Sequence, residues 1–342
     1  MKTSSSKLRF LLIGCGTIGG RHAKLASSTG ILEAVCDIVP ERAQRFSKLF
    51  QCYGYTSLDE MLKQHATADA LIVCTPNGLH AVHGIHAFKK GLHVLCEKPM
   101  AIREADAKRM IAAAAKANRH FMVVKQNRYN PPVAAVKQLL EKNKLGKVYS
   151  VQINCFWNRG ANYYQQSNWR GTQQLDGGVL FTQFSHFIDL LYWYFGPLAN
   201  VNGATSNLAH QQVCEVEDTG VFQFTTVTGV YGTLNYTTNA AVENYEGSLT
   251  IIAEKATIKI GGPYLNTIEY QKPELLKKLS AGNQANRYKG YQGSMNNHAQ
   301  VYKDFEAVLK GKQLAYTSGE DGLASVQMIE QLYKAASRRK ER

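Results

Sequence analysis

The chain has 342 residues, 44% of them apolar, which is length for two ordinary domains and enough buried surface to exclude a disordered or fibrous class. Forty Lys and Arg against 26 Asp and Glu give a net charge of +14. Those basic residues are dispersed apart from the tail Arg338-Arg339-Lys340-Glu341-Arg342, and with no zinc-finger, RNA-binding or heptad signature they favour small anionic ligands over nucleic acid.

No stretch approaches the roughly 20 apolar residues of a membrane span, and the run 10–13 is too short for a signal-peptide core. The cysteines at 15, 36, 52, 74, 96, 155 and 214 form no CxxC pair, and scattered thiols of this kind fit a reducing, cytoplasmic setting.

In chain order, apolar runs at 8–13, 32–36, 70–74, 93–96 and 121–124 read as buried strands. Helical segments lie between them. One opens at Ser57 with Glu60 three residues on, a capping-box pattern. Another, 103–118, is alanine-rich. This alternation predicts a doubly wound parallel sheet of Rossmann type over 1–126.

From 127 to 342 an α+β domain with an open, mostly antiparallel sheet is expected. Pro131-Pro132 opens a helix to about 142. Period-two runs follow at 148–156, 219–228, 230–238, 247–253 and 256–260, with Thr228-Gly229 and Glu254-Lys255 as turns. A single helix is predicted over 179–195, stopped by Gly196-Pro197. Segment 271–295 reads as a mobile loop. Helices at about 297–310 and 320–337 close the chain, and the last could pack back on the first domain.

The first strand runs into Gly14-Cys15-Gly16-Thr17-Ile18-Gly19 and then a predicted helix. This is the GxGxxG fingerprint in its required context. Its glycines serve a tight turn, close approach of a pyrophosphate and helix packing, and Thr17 and Ile18 open the helix whose N–H groups face the phosphates. The second strand ends at Asp37, where the ribose hydroxyls need an acceptor. A carboxylate there repels a 2′-phosphate and favours NAD over NADP, although Arg42 and Arg45 leave NADP open.

Polar clusters follow the next three strands: Thr75-Pro76-Asn77-Gly78-Leu79-His80, Glu97-Lys98-Pro99 and Gln126-Asn127-Arg128-Tyr129. Ligands of open α/β sheets bind beyond the carboxyl ends of strands, so Thr75, Asn77, His80, Glu97 and Lys98 are expected around the cofactor. Lys98 stands out. A lysine at the end of a buried strand is costly unless paired or used, and its ammonium could polarise a substrate oxygen and share its proton.

The fingerprint, Cys74-Thr75-Pro76-Asn77 with His80, and Glu97-Lys98-Pro99 together resemble the Gfo/Idh/MocA oxidoreductases over essentially the whole chain. That resemblance implies sugar-like alcohols oxidised or reduced with NAD(P), oligomer contacts through the second domain's sheet, and Lys98 at the catalytic lysine. The family's second element, glycines, an aspartate and then a histidine four residues on, reads here Asp176-Gly177-Gly178-Val179-Leu180-Phe181-Thr182-Gln183-Phe184-Ser185-His186. His186 is retained and Thr182 replaces the aspartate. On one helix Thr182 and His186 would be a turn apart with Gln183 beside them, and His186 remains available as base.

Arg159, Tyr163-Tyr164, Trp169-Arg170-Gly171-Thr172, Asp176-Gly177-Gly178, Gln183 and His186 further resemble a bacterial group acting at C3 of UDP-N-acetyl-2-amino-2-deoxyglucuronate. Those enzymes serve cell-surface polysaccharide synthesis and likewise lack the aspartate. On that likeness Arg159 and Arg170 would pair with the carboxylate or pyrophosphate of a nucleotide sugar. Tyr163, Tyr164 and Trp169 would stack on sugar or nicotinamide, with Trp169 and Arg170 also near the cofactor. Lys98, Arg159, Tyr163, Arg170, Thr182, Gln183 and His186 form the expected substrate set. No metal is expected. UDP-N-acetylglucosamine, another sugar or polyol, or a non-catalytic ligand sensor on the same fold are the alternatives.

Overall fold

A computed structural model describes residues 7–277, 279, 282–288 and 291–340. Glu341 and Arg342 of the basic tail lie outside them. The chain divides into two compact units: one ends at Val124 and regains His298–Leu323, and the other holds Lys125–Asn297 and the segment from Ala324.

In the first unit, β1 (Arg9–Ile13), β2 (Ile31–Cys36), β3 (Tyr53–Tyr55), β4 (Ala70–Val73), β5 (His93–Cys96) and β6 (Phe121–Val123) form one parallel sheet in the order 3-2-1-4-5-6. The runs in β1, β4 and β5 are apolar because helices cover both faces; Leu11, Leu12, Leu71, Ile72, Val94 and Leu95 are fully buried. The strand order reverses between β1 and β4, which sets a crevice at their carboxyl ends.

Helix Thr17–Thr29 follows β1. Ser57 caps helix Leu58–Gln64, its side chain accepting the Glu60 N–H. Arg103 and Asn118 flank helix Glu104–Ala117, Asn118 in the left-handed conformation. β3 has no apolar signature: two of its three residues are exposed and the third is half-buried, so hydrophobic patterning does not find it. The returning segment adds helix His298–Leu309 against Thr17–Thr29, and Thr317 brackets Val123 by two hydrogen bonds, at 2.9 Å and 2.6 Å.

The second unit carries β7 (Val148–Phe156), β8 (Leu198–Ser206), β9 (Thr219–Thr226), β10 (Tyr231–Thr237), β11 (Glu246–Ala253), β12 (Thr257–Gly261) and β13 (Thr267–Lys272). Their order is 13-12-11-7-10-9-8, antiparallel except for the parallel pair β7 and β10. The sheet buries Val151, Ile153, Phe222, Leu234, Leu249 and Ile251 and leaves Gln152, Val221 and Gln223 exposed. β8 and β13 are edge strands of low hydrophobicity, which is why patterning passes over them.

Two expectations are corrected. Segment 271–295 is not simply a loop: its described residues hold the end of β13 and an antiparallel pair, β14 (Ala285–Tyr288) with β15 (Tyr291–Met295). The helix predicted over 179–195 is two helices, Val179–Thr182 and Ser185–Phe195. Gln183 and Phe184 interrupt it. The Gln183 amide is drawn to Arg159 and Tyr163, while Phe184 is fully buried against Trp157, Phe187 and Tyr236. Thr182 and His186 therefore stand on separate helices.

Candidate active site

The glycine-rich turn has the shape its sequence predicts. Gly14 adopts φ +98°, and a Cβ there would meet the Cys74 carbonyl oxygen at 2.5 Å; one at Gly19 would meet the Gly14 carbonyl oxygen at 2.0 Å. Both positions demand glycine for backbone packing. Gly16 differs, because a Cβ there would meet nothing within 4 Å. No side chain caps helix Thr17–Thr29 at Gly16, so its first N–H groups, with Thr17 and Ile18, are placed for a phosphate. Asp37 is buried and its carboxylate accepts the N–H of Cys15 at 2.8 Å and of Val39 at 2.9 Å. These features suit a dinucleotide: the carboxylate ties two strand-end turns together and each oxygen retains acceptor capacity for a ribose.

The later clusters are tied in the same way. Both ring nitrogens of His80 lie 2.7 Å from carbonyl oxygens, those of Pro99 and Thr75. Burial pulls the His80 pKa down against the upward pull of these carbonyls. The Thr75 hydroxyl lies 3.0 Å from Nδ1 of His83, whose pKa burial lowers to about 4. Asn77 is buried at the start of the short 3-10 turn Asn77–Leu79.

Glu97, grouped by sequence with the cofactor residues, turns its carboxylate into the unit. Oε1 lies 2.8 Å from His22 Nε2 and 3.4 Å from His298 Nε2, and Oε2 accepts the Lys98 N–H at 3.0 Å. Burial raises the Glu97 pKa, but the two imidazoles outweigh it and hold the group well below the usual carboxylate range. His22 also meets the Tyr302 hydroxyl at 3.0 Å. Sequence reasoning missed His22 and His298, since no local pattern joins residues so distant in the chain. Their donor atoms and that of Glu97 lie within 4.8 Å of one another, a spacing open to a metal among the described residues. With His22 hydrogen-bonded at both nitrogens, the cluster reads as a polar brace behind half-buried Lys98.

In the second unit, His186 is buried near the start of helix Ser185–Phe195. The Gln126 amide nitrogen stands 3.5 Å from its Nε2, and Gln126 donates to Ser294 Oγ at 2.9 Å. One turn on from His186, Asp189 forms a two-pronged pair with Arg128 at 2.9 and 2.8 Å, joined by Lys125 at 3.1 Å. Burial works against the Asp189 charge, but Arg128 and Lys125 prevail and lower its pKa.

Thr182 is not left without a carboxylate. Its hydroxyl donates to Oδ1 of buried Asp176, whose Oδ2 accepts the Gly171 N–H at 2.8 Å. Glu217 accepts the N–H groups of Val179 and Leu180 and the hydroxyls of Tyr236 and Tyr333, which fixes the start of the short helix carrying Thr182. Burial raises its pKa to about 7.

The two arginines differ. Arg159 is 2% exposed and donates to Gln183 Oε1 at 2.8 Å, Asn244 Oδ1 at 3.0 Å and the carbonyls of Asn158 and Gln292 at 2.5 and 3.2 Å. Gln183 in turn donates to the Tyr163 hydroxyl at 2.7 Å. Arg170 is half-buried, with its guanidinium 4.2 Å from the Tyr163 ring centre and 5.9 Å from that of Trp169. Thus Arg159, Tyr163, Gln183 and Arg170 are brought into one connected group. Tyr164 is buried beside this group, its ring centre 5.2 Å from that of Tyr163 and 4.9 Å from that of His210. No helix of the described residues is long and apolar enough to cross a membrane.

Comparison with known proteins agrees with both halves. Residues 8–125 match an oxidoreductase family with an NAD-binding Rossmann fold, and 133–259 match the GFO/IDH/MocA C-terminal domain. The WlbA dehydrogenase of Bordetella pertussis, solved with NADH and UDP-GlcNAcA, is 35% identical with a TM-score of 0.85 over 97% of both chains. The WlbA dehydrogenase of Chromobacterium violaceum, solved with the same two ligands, is 34% identical with a TM-score of 0.87 over 98% of this chain and 95% of that one. Glucose-6-phosphate 3-dehydrogenase of Bacillus subtilis is 31% identical, but over 54% of this chain and 53% of its own length. The chain belongs to the GFO/IDH/MocA oxidoreductase family and is an NAD-binding oxidoreductase.

Proposed function

We propose that this chain oxidises the C3 hydroxyl of UDP-N-acetylglucosaminuronate to the 3-keto sugar with NAD⁺, a step toward cell-surface polysaccharide. The observation that carries the reading is full-length similarity at 34–35% identity to two dehydrogenases solved with NADH and UDP-GlcNAcA. Structures solved with levoglucosan or L-sorbose are about 20% identical and share the fold alone.

Bound NAD⁺ supplies the hydride acceptor. Gly14, Gly16, Thr17, Ile18 and Gly19 would cradle its pyrophosphate and Asp37 its ribose, with Thr75, Asn77, His80, Trp169 and Arg170 around the rest. Within the chain, His186 receives the carbinol proton as the C–H hydride leaves, and a ketone remains. The Lys98 ammonium stabilises negative charge gathering on the same oxygen. Glu97 serves through Lys98 by accepting its backbone N–H. Half-buried Arg170, stacked on Tyr163, reads the uronate or pyrophosphate charge. Arg159 acts mainly through Gln183, while Thr182 presents a hydroxyl polarised by Asp176.

The test offers UDP-N-acetylglucosaminuronate and UDP-N-acetylglucosamine to the purified chain with NAD⁺. Loss of the carboxylate should cost about 1.5–3 kcal/mol of transition-state binding, the worth of a charge-assisted bond. Lys98→Met and His186→Ala should each abolish turnover while NADH binding survives. Equal use of both sugars would redirect the substrate assignment to UDP-N-acetylglucosamine. Full turnover in either variant would remove that residue from the reaction.

A further inference from the structure

We propose that Gln126 reads the substituent next to the reacting carbinol: its side-chain carbonyl accepts a hydrogen bond from a hydroxyl or amide N–H on an adjacent sugar carbon. The inference rests on the proposed function and extends it to a residue that reading leaves without a task.

Gln126 is 3% exposed. The nitrogen end of its amide is occupied, donating to Ser294 Oγ at 2.9 Å and facing His186 Nε2 at 3.5 Å. The oxygen end, Oε1, is buried with no hydrogen-bond partner among the described residues. Leaving a buried amide oxygen unmatched is costly, and native chains rarely do so without cause. The proposed base, His186, is buried to a similar degree at 5% exposure. The 3.5 Å between the Gln126 amide nitrogen and His186 Nε2 sets the amide side by side with that base.

The surroundings hold this amide still. Gln126 opens the short 3-10 turn Gln126–Tyr129, and its backbone carbonyl accepts from Asn297 at 3.3 Å. Two residues on, Arg128 grips Asp189, which lies on the same helix as His186. The base and the amide oxygen are thus fixed relative to each other within one unit. A sugar whose carbinol meets His186 brings its neighbouring substituent to Gln126. For oxidation at C3 those neighbours are the 2-acetamido N–H and the 4-hydroxyl, both donors, as an orphaned acceptor requires.

The experiment combines two variants with two altered sugars. Gln126→Met keeps the length and removes the acceptor; Ser294→Ala keeps Gln126 and removes its clamp, and carries the same test if the first variant does not fold. Each is assayed on UDP-N-acetylglucosaminuronate and on its 4-deoxy and 2-deoxy analogues, with thermal melting and NADH binding as controls. Wild type should lose about tenfold to a hundredfold in kcat/KM on one analogue. Gln126→Met should lose a similar factor on the parent sugar and little more on that analogue, because the same bond is already gone. Ser294→Ala should show a weaker form of the same coupling.

Losses that multiply on both analogues would overturn the proposal and leave Gln126 a packing residue or the partner of an ordered water. If wild type does not oxidise the parent sugar at all, the functional reading fails first, in the wild-type arm, and the assignment of Gln126 falls with it.

Discussion

The hydroxyl of Thr182 donates to the carboxylate of Asp176, six residues earlier in the chain. Thr182 stands where Gfo/Idh/MocA proteins are expected to carry an aspartate, so a carboxylate approaches this position from the preceding glycine-rich turn. Thr182→Asp should therefore be harmful, because it sets two carboxylates together at a part-buried site. We expect a loss of at least tenfold in kcat/KM and a lower melting temperature, with partial recovery in Thr182→Asp/Asp176→Asn. Full activity in the single variant would show that the pair does not matter.

The Glu97 brace gives a second prediction. Glu97 is a buried acceptor, and removing it leaves the buried groups around it unmatched, at about 1–3 kcal/mol each. Glu97→Ala should lower stability by that order and loosen the Lys98 turn, whereas Glu97→Gln should be milder because it retains acceptor and shape. Denaturant unfolding of the two variants checks this. Equal, small effects would mean that His22 and His298 do not hold the strand end through Glu97.

The pH dependence of stability follows from the buried groups. Burial lowers the pKa of His80 and His298, and takes His83 and His93 from 6.5 to about 4. Below pH 6.5 the unfolded chain binds these protons first, so stability falls as pH drops toward 4. Glu97, held low, adds to the loss at lower pH still. Glu217 runs the other way. Its pKa is raised from 4.5 to about 7, so the folded chain holds its proton and stability is lost as pH rises through that window. Melting curves should show a wild-type decline from pH 6.5 to pH 4.5. Glu217→Gln should gain on wild type between pH 5 and pH 8; a constant difference would contradict the shift.

Asp37 holds the Cys15 and Val39 N–H groups and is assigned to the adenosine ribose. Asp37→Ala should weaken NAD binding by about tenfold to a hundredfold, the worth of a charge-assisted bond, and narrow the preference for NAD over NADP. Fluorescence titration with both reduced cofactors measures it. An unchanged ratio would place the discrimination elsewhere, with Arg42 and Arg45 the next candidates.

Local signals carried most of the fold. The apolar runs, the capping pattern at Ser57 and the turn at Thr228-Gly229 all depend on neighbours in sequence, and the elements appear there within a residue or two. What escaped depends on distant partners. β3, β8 and β13 have weak patterns at sheet edges, and the antiparallel pair β14 and β15 is polar in sequence. The break at Gln183 and Phe184 was hidden because an apolar helical run looks continuous until Arg159 and Tyr163 claim the Gln183 amide. In the candidate site, Lys98 could be named from its strand end, its role being a proposal, and the glycine turn was legible from motif and strand context. The Asp176–Thr182 contact and the Gln126 amide were not, because each becomes informative only once the chain has folded around it.

The central claim is that hydride leaves C3 of the sugar for nicotinamide while Lys98 and His186 attend the same oxygen. The most direct measurement is a single turnover of UDP-N-acetylglucosaminuronate deuterated at C3, with the cofactor then weighed by mass spectrometry. The account predicts one deuterium on the nicotinamide with wild type and none with Lys98→Met or His186→Ala. Transfer from a sugar deuterated at C2 or C4 instead, or unaltered transfer in both variants, would contradict it.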